Sequence, residues 1–565
     1  MNIVSVRIQN FRGIKRLDLN LGQVTILIGE NNTGKTSVLD ALKLALYHLG
    51  SRRAIFNEMD FHLPSENATP LSAEPISIEI IFSDQHDEPW NQELLASLNR
   101  AKILQVNDGG ISRVHLRLTC EYDKATREFT HQWSFLDQGK VELSKARSAG
   151  IQILRRELQY YYLSALRDVS RHFDAQGPFW RPFLKDSQLS QSKKSEIEER
   201  LREVNNLIVS SHASFSQVKD HLHQLRSLIP LRSEDPVSIE AVPSRTFEIL
   251  SKAEVQIGAI TGAKIPLALH GEGTQSLAVL MLFFAFLESR EGGTSILALE
   301  EPEAHLHPSA IRVFWKLAQN FANQRLISTH SGELIAETNI GDIRRLARTS
   351  DGIKAFHIHS DLLSQEETNK LDYHVRRTRG ELLFARCWLL VEGQTEIWVY
   401  EAAARACDLD LHKEGVRLVE FRHSGIDIMV KVANALGIAW YCVGDDDTQR
   451  SQTEPKLRQA LDGAKEEDRY TFPYPNIEVH LLSNGFENVY SRYMPEQNLK
   501  KIKKGQGDPE YWKEYCKYFP NRNKTKAAVD IALEWAKPNV SRTVTPKIRS
   551  VLGKAISLAR GDQID

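Results

Sequence analysis

The sequence holds only five cysteines, Cys120, Cys387, Cys407, Cys442 and Cys516, scattered, odd in number and forming no CxxC pair. Their scarcity excludes a disulfide framework and a cysteine-zinc site, and fits a reducing cytoplasm. An excess of one charge is missing too: 72 Lys and Arg stand against 73 Asp and Glu, a net charge of −1. A globally basic nucleic-acid binder is thereby excluded, and any polyanion site must be a local patch. The longest apolar run, Leu277 to Leu287, has 11 residues, short of the ~20 that cross a bilayer. It reads as a buried helix, and no membrane partner is expected. The start, MNIVSVRIQNFRG, alternates apolar and polar residues with no charged lead into an apolar core. It reads as a strand and not as a signal peptide.

What is present is ordinary for a folded protein: 41% hydrophobic and 26% charged residues, with 31 Gly and 20 Pro, which excludes disordered and collagen-like classes. At about 150 residues per domain, 565 residues predict three or four domains. Residues 1–185 read as strands with an early helix, including VSVRIQNF, VTILIG, ISIEIIF, VHLRLTCEY and LQYYYL. Over 186–255, Ile197, Leu201, Val204 and Ile208, then Phe215, Val218, Leu222, Leu225 and Ile229, recur every three or four positions. That spacing predicts a helical pair whose narrow apolar stripe either packs on its own domain or meets a second copy of the chain. An α/β pattern resumes over 256–378 with the strands SILALEE and QRLISTH. From 379 to 565, ARCWLLVE, VRLVEF and IAWYCVGDDD alternate with helical stretches, which predicts a doubly wound parallel sheet.

The segment GENNTGKTS runs from Gly29 to Ser37, directly after the apolar strand VTILI and before a helix. It fits GxxxxGK[ST] in the context a phosphate-binding loop requires. The glycines Gly29 and Gly34 let backbone N–H groups, with Asn31, Asn32 and Ser37 alongside, curl around phosphates at a helix N-terminus. Lys35 adds positive charge and the Thr36 hydroxyl can hold Mg²⁺. Much later, ILALE ends in the paired acids Glu300 and Glu301. One acid can bind the Mg²⁺ shell while its neighbour orients water for attack on the γ-phosphate.

These pieces together resemble an ABC-type ATPase of the SMC and RecF kind, whose nucleotide-binding domain is split by a central insertion. That resemblance implies a signature loop at His270–Ser276, with Gly271, Gly273 and Gln275 meeting nucleotide held by an opposite subunit, although HGEGTQS departs from the usual LSGGQ. It implies Glu300 in place of the usual Mg²⁺-binding Asp, Glu301 as the catalytic glutamate, and His330 as the switch histidine. His305 and His307, at i and i+2, share no helix face and belong to the D-loop segment, not to a zinc site.

Towards the C-terminus, VEGQTE places Glu392 at a strand end and Glu396 in the next helical turn, and VGDDD ends another strand with Asp445 and Asp447 two apart. Parallel strands set their C-terminal ends side by side, so these acids can converge on one crevice. Hard oxygen donors suit Mg²⁺ or Mn²⁺. The constellation resembles the Toprim domain of topoisomerases, primases and certain nucleases. An ABC-type ATPase followed by a Toprim domain resembles in turn the OLD (overcoming lysogenisation defect) family of ATP-dependent nucleases, and LLFARCWLLVEGQTEIWV resembles its bacterial members with a DUF2813 region.

The OLD resemblance implies ATP, with Mg²⁺ or Mn²⁺ at both the ATPase and the Toprim sites. Glu392, Glu396, Asp445 and Asp447 are then metal ligands, Glu487 is an additional acid, and Lys524 is a catalytic lysine with Lys526 as the competing choice. It also implies a DNA substrate, a homodimer or higher oligomer, a role in phage defence or DNA metabolism, and a further protein or nucleic-acid partner. The other open reading is an ATP-dependent DNA-binding or sensor protein whose Toprim domain cuts nothing. Lys500, Lys501, Lys503 and Lys504, followed by Tyr511, Trp512, Tyr515, Tyr518 and Phe519, fit DNA-backbone contact with stacking, and fit a solvated charge run equally well.

Overall fold

A computed structural model describes the chain apart from residues 165–189, 212–255, 259–263, 289–293 and 536–543, the last four residues and a few short loop positions. The chain forms two compact units, the first of residues 1–162, 293–302 and 322–565, the second of 163–292 and 303–321.

In the first unit, β1 (Asn2–Phe11) and β2 (Ile14–Asn20) form a hairpin, and β3 (Val24–Ile28) leaves it for a second sheet. The helix α1 (Lys35–Leu42) follows the GENNTG loop. The strands β4 (Ile76–Ser83), β5 (Gln105–Val106), β6 (Ser112–Asp123) and β7 (Glu128–Leu136) complete an antiparallel sheet ordered β2-β1-β4-β6-β5, with β7 on β6. Alternation explains its single apolar face: Ile76, Ile78, Ile80 and Phe82 are fully buried at period two. They share one core with Val38, Leu39 and Leu42 of α1.

The strand β8 (Leu158–Leu163) ends the N-terminal run. In the second unit, α2 (Gln191–Ser211) lies where the helical insert is expected, whereas the second half of that expected pair is outside the described residues. A short hairpin, β9 (Gln256–Gly258) with β10 (Lys264–Pro266), precedes α3 (Glu272–Glu288). The 11-residue apolar run lies inside α3, and Phe284 stacks on Phe314 of α4 (Pro308–Ala318) at 5.9 Å.

The first unit resumes with β11 (Thr294–Glu300), β12 (Gln324–Ser328), β13 (Ile343–Thr349) and β14 (Gly352–Phe356). The second sheet runs β14-β13-β3-β12-β11-β8, with β13, β3, β12 and β11 parallel to one another. Buried apolar runs such as Ile296–Leu299 mark strands covered on both faces. After α5 (Gln365–Arg377), a smaller sheet contains β15 (Cys387–Val391), α6 (Gln394–Ala406), β16 (Val416–Glu420), α7 (Ile426–Ala435), β17 (Ala439–Val443) and β18 (Tyr470–Thr471). Its order is β16-β15-β17-β18, parallel throughout. The fold is therefore α/β, a body built on an antiparallel and a mixed sheet followed by a smaller parallel sheet with intervening helices.

Three further helices pack on this sheet's core: α8 (Ile477–Leu481), α9 (Asn521–Trp535) and α10 (Pro546–Arg560). The aromatics expected to stack on DNA belong partly to that core. Tyr511, Tyr515 and Phe519 are buried because four-residue spacing puts them on one helix face. His480 is also buried, stacked on Tyr474 at 4.8 Å and 2.9 Å from the Thr545 hydroxyl.

Burial, reinforced by Lys547, lowers the His480 pKa to about 4. The neutral ring's contribution is complete above the ordinary histidine value and is lost as pH falls from about 6.5 towards 4, by up to about 3 kcal/mol. Thermal melts of the metal-free chain should therefore fall more steeply over that window than those of His480→Gln.

Candidate functional site

The parallel strands β3, β12 and β11 bring three sequence-distant segments to one sheet end. Gly29 follows β3, Glu300 ends β11 and His330 follows β12. Gly29 has φ +149°, and a Cβ there would lie 2.3 Å from the Leu346 carbonyl oxygen, so only glycine fits. Gly34 caps α1 at φ +91°, and the first N–H groups of that helix point at the loop. Asn31, Asn32 and Ser37 lie on the same loop and first helical turn, and Arg348 donates to the Asn32 carbonyl at 3.2 Å.

Lys35 is buried, and its Nζ donates to the Gly29 and Glu30 carbonyls, each at 2.8 Å. Burial lowers its pKa to about 8, with Glu301 and Glu30 opposing the shift. A glycine cradle, unpaired helical N–H groups and a reachable ammonium suit a nucleotide's phosphates.

Glu300 is held at both oxygens. Thr36 Oγ1 donates to Oε1, and the Tyr162 hydroxyl donates to Oε2 at 2.8 Å. Burial and the neighbouring Glu300 raise the Tyr162 pKa, so its proton stays available for this bond. Glu301 adopts φ +42°, an uncommon conformation for a side-chain-bearing residue. Its carboxylate lies 3.5 Å from His330 Nε2. Burial and Lys35 lower the His330 pKa while Glu301 opposes them. Nothing in the spacing of the sequence pointed to Tyr162, which lies on β8, 138 positions before Glu300.

In the second unit, Gly271, Gly273 and Gln275 open α3. A Cβ at Gly273 would lie 2.7 Å from the His305 carbonyl oxygen, and Gln275 donates to the His270 carbonyl at 2.6 Å. His305 pairs with Glu272 at 3.0 Å.

The second candidate site lies at the C-terminal ends of β15 and β17, neighbours in register with Val391 opposite Val443. Glu392 follows β15, Asp445 follows β17 after Gly444, and Glu396 lies in the first turn of α6. A fourth acid, Glu478 of α8, is 5% exposed and Glu396 is 7% exposed. Burial and then Glu478 raise the Glu396 pKa to about 7. Burial, then Glu396 and Glu392, raise that of Asp445 to about 9. Glu392 is raised by burial and by Asp447. Asp447 is more exposed and caps the Gln449 N–H at 2.7 Å, while Asp446 turns away to Arg450 at 2.9 Å.

Lys524 of α9 pairs with Glu478 at 3.1 Å. Burial disfavours its ammonium, but the ion pair outweighs that and raises the pKa. Lys526, two residues on, is exposed. Glu487 is exposed on a later turn, and the buried acid of this stretch is Glu478. The preceding Asn476 caps α8 through its side chain at 2.7 Å from the Val479 N–H, which fixes the turn carrying Glu478. In sequence, NIE shows only a helix start.

Clustered carboxylates, buried or half-buried, that penalise one another's charge are a donor set whose repulsion a hard divalent cation can relieve. Among the described residues no three such side chains already meet as a metal cage.

Residues 1–381 match the family model described as a protein of unknown function (DUF2813), and residues 383–447 match the Overcoming lysogenization defect protein-like TOPRIM domain. The chain belongs to the DUF2813 family. Its OLD-like Toprim part begins where the Toprim sheet starts. This DUF2813 chain is 28% identical over 588 residues to the uncharacterized protein YbjD of Escherichia coli (strain K12), covering 99% of this chain and all of the relative. It is 24% identical to the OLD nuclease of Thermus scotoductus (strain ATCC 700910 / SA-01), over 82% of this chain and 86% of that one. It is 20% identical to the endonuclease GajA of Bacillus cereus (strain VD045), over 82% and 78%.

The seam between the two matched parts of the DUF2813 chain joins the two candidate sites. Arg386, one residue before β15, forms a bidentate pair with Glu30 of the phosphate loop at 2.5 and 2.9 Å. Phe384 stacks on His330 at 6.4 Å. Arg345, opposite Ile28 on β3, is buried and donates to the carbonyls of Ala385, Leu436 and Gly437 at 2.9, 3.1 and 3.0 Å. Three backbone acceptors of the Toprim part are thus fastened to the strand next to the phosphate loop.

Proposed function

We propose that this chain is an ATP-binding and ATP-hydrolysing, divalent-metal-dependent DNA endonuclease in which the nucleotide site controls the Toprim site. The observation that carries the reading is the cluster of half-buried Glu392 and Asp445 at parallel strand ends with buried Glu396 and Glu478 on neighbouring helices, Lys524 being paired with Glu478. The relatives named as nucleases support it. Glu392, Glu396, Asp445 and Asp447 would hold Mg²⁺ or Mn²⁺, with Glu478 as the additional acid in place of Glu487. When bound, such a cation neutralises phosphate charge and makes water acidic enough to attack at neutral pH.

The chain's own residues do the rest. Lys524 offers its ammonium to the charge that develops on the phosphodiester. Glu396 and Asp445, whose pKa values are raised without metal, would give up their protons as the cation binds. The lysines Lys500, Lys501, Lys503 and Lys504 are exposed and supply backbone contact without base reading.

At the other site, Lys35 and the loop N–H groups bind the phosphates, Thr36 and Glu300 would hold Mg²⁺, Glu301 orients water, and His330 reads the γ-phosphate end. The signature segment with Gly271, Gly273 and Gln275 would close on nucleotide in a second copy, making the active form a homodimer or larger. Phage defence or DNA metabolism is the role that fits such an enzyme.

Incubating a labelled DNA duplex with the chain and Mg²⁺ or Mn²⁺, with and without ATP, tests the reading. Cleavage that a chelator abolishes is expected. Intact duplex under every combination, with nucleotide-dependent DNA binding retained, would show an ATP-dependent binding protein instead.

Tyr162→Phe removes one charge-assisted bond to Glu300 and leaves the phosphate loop alone. ATP hydrolysis should fall about tenfold, with a higher Mg²⁺ requirement in a phosphate-release assay and nucleotide affinity nearly unchanged.

A further inference from the structure

A sizeable cleft among the described residues includes none of the acids or phosphate-loop residues of the two candidate sites in its lining. It has a volume of about 760 Å³ and follows β16, the edge strand of the Toprim sheet. All five consecutive residues of β16 line it. A cleft over one face of a sheet would meet alternate residues, so this one runs along the strand's outer edge.

Backbone directions agree. The Phe421 N–H donates inward to Val391 at 3.0 Å, while the Val416 N–H donates outward to Leu411 at 2.8 Å. Alternation then turns the backbone of Leu418 outward, into the cleft. Edge strands are usually guarded by proline, a bulge or a covering segment. The sequence VRLVE has no proline, and its register with β15 is unbroken.

The chemistry of the walls selects an occupant. Five carboxylates and two arginines line the cleft. Both arginines are already paired there, Arg405 with Glu401 at 3.4 Å and Arg417 with Glu381 at 3.8 Å. With Asp408, Asp410 and Glu420 the described lining carries more carboxylates than arginines, and like charge disfavours a nucleic-acid backbone. An apolar floor, including Ile397, Leu409 and Leu418, lies between. Acidic rim, apolar floor and open edge together fit an extended peptide segment with alternating basic and apolar side chains.

We propose that β16 is a docking edge for such a lysine- or arginine-bearing segment of another protein, which adds to the Toprim sheet as a further strand. Glu420 stands opposite Val391, the residue before Glu392, so the docked segment would lie one strand from the candidate metal site. The docking itself does not depend on the nuclease reading.

The test uses the full chain and a fluorescein-labelled ten-residue peptide of alternating lysine and valine, followed by fluorescence anisotropy and hydrogen exchange. Binding should be at least about tenfold tighter than for the glutamate–valine counterpart or for the lysine peptide methylated on alternate backbone nitrogens. Asp408→Lys with Asp410→Lys, both on an exposed loop, should weaken it by a similar factor, and saturating peptide should slow exchange of the Leu418 amide. Equal binding of basic and acidic peptides, or unchanged exchange over residues 416–420, would overturn the proposal. So would sedimentation showing that the double variant splits an oligomer of this chain, since the cleft would then be an interface between copies.

Discussion

Asp445→Asn is expected to lower metal-dependent DNA cleavage by about 10³-fold and, in the same protein without metal, to raise the melting temperature. The two effects have one cause. Asp445 is set among Glu392, Glu396 and Glu478, and its pKa rises to about 9 because burial and these neighbours penalise its charge. A carboxyl with a folded pKa above its unfolded value loses stability as pH rises between the two values. Asn removes that loss, so the gain in melting temperature should grow from about pH 4 upwards in chelator. Added Mn²⁺ should then stabilise wild type and barely move the variant. An Asn that cuts as well as wild type would place the chemistry elsewhere.

Lys35→Ala should reduce ATP hydrolysis by about 10²–10³-fold, measured as phosphate release. The ammonium lies 2.8 Å from two loop carbonyls and is the buried positive charge of the loop. Removing the ammonium leaves the buried Gly29 carbonyl and the partly buried Glu30 carbonyl without that donor, so a thermal melt accompanies the assay to show that the variant folds. The seam predicts more than loss of hydrolysis. Because Glu30 of the same loop pairs with Arg386, and His330 stacks on Phe384, Lys35→Ala should also abolish any effect of ATP on DNA cleavage while leaving the metal requirement intact. Cleavage that still responds to ATP in Lys35→Ala would break the connection between the two sites.

Much of this was legible in the sequence. Period-two alternation and apolar runs gave the strands, and GENNTGKT does form a loop between strand and helix at which Gly29 has a backbone only glycine fits. The parallel Toprim sheet followed from strand–helix alternation, and Glu392, Glu396 and Asp445 do lie together at its strand ends. What stayed hidden has no period. Tyr162 reaches Glu300 across 138 positions, Arg386 reaches Glu30 across 356, and such pairings depend on the closed sheet. Glu478 was missed because one buried acid in a short helix looks like any first-turn glutamate, whereas Glu487, beside a glycine and an aromatic, looked more functional and is exposed. The aromatic cluster after Lys504 likewise looked like a stacking surface, but helical spacing puts three of its rings in the core.

The central claim is that the clustered acids at the Toprim strand ends and on the helices beside them form a divalent-metal centre. Anomalous diffraction from crystals of the whole chain grown with Mn²⁺ tests it most directly. The account predicts anomalous density among Glu392, Glu396, Asp445, Asp447 and Glu478, absent in crystals of Asp445→Asn. Wild-type crystals with no density at these acids, at Mn²⁺ concentrations that support cleavage, would contradict it.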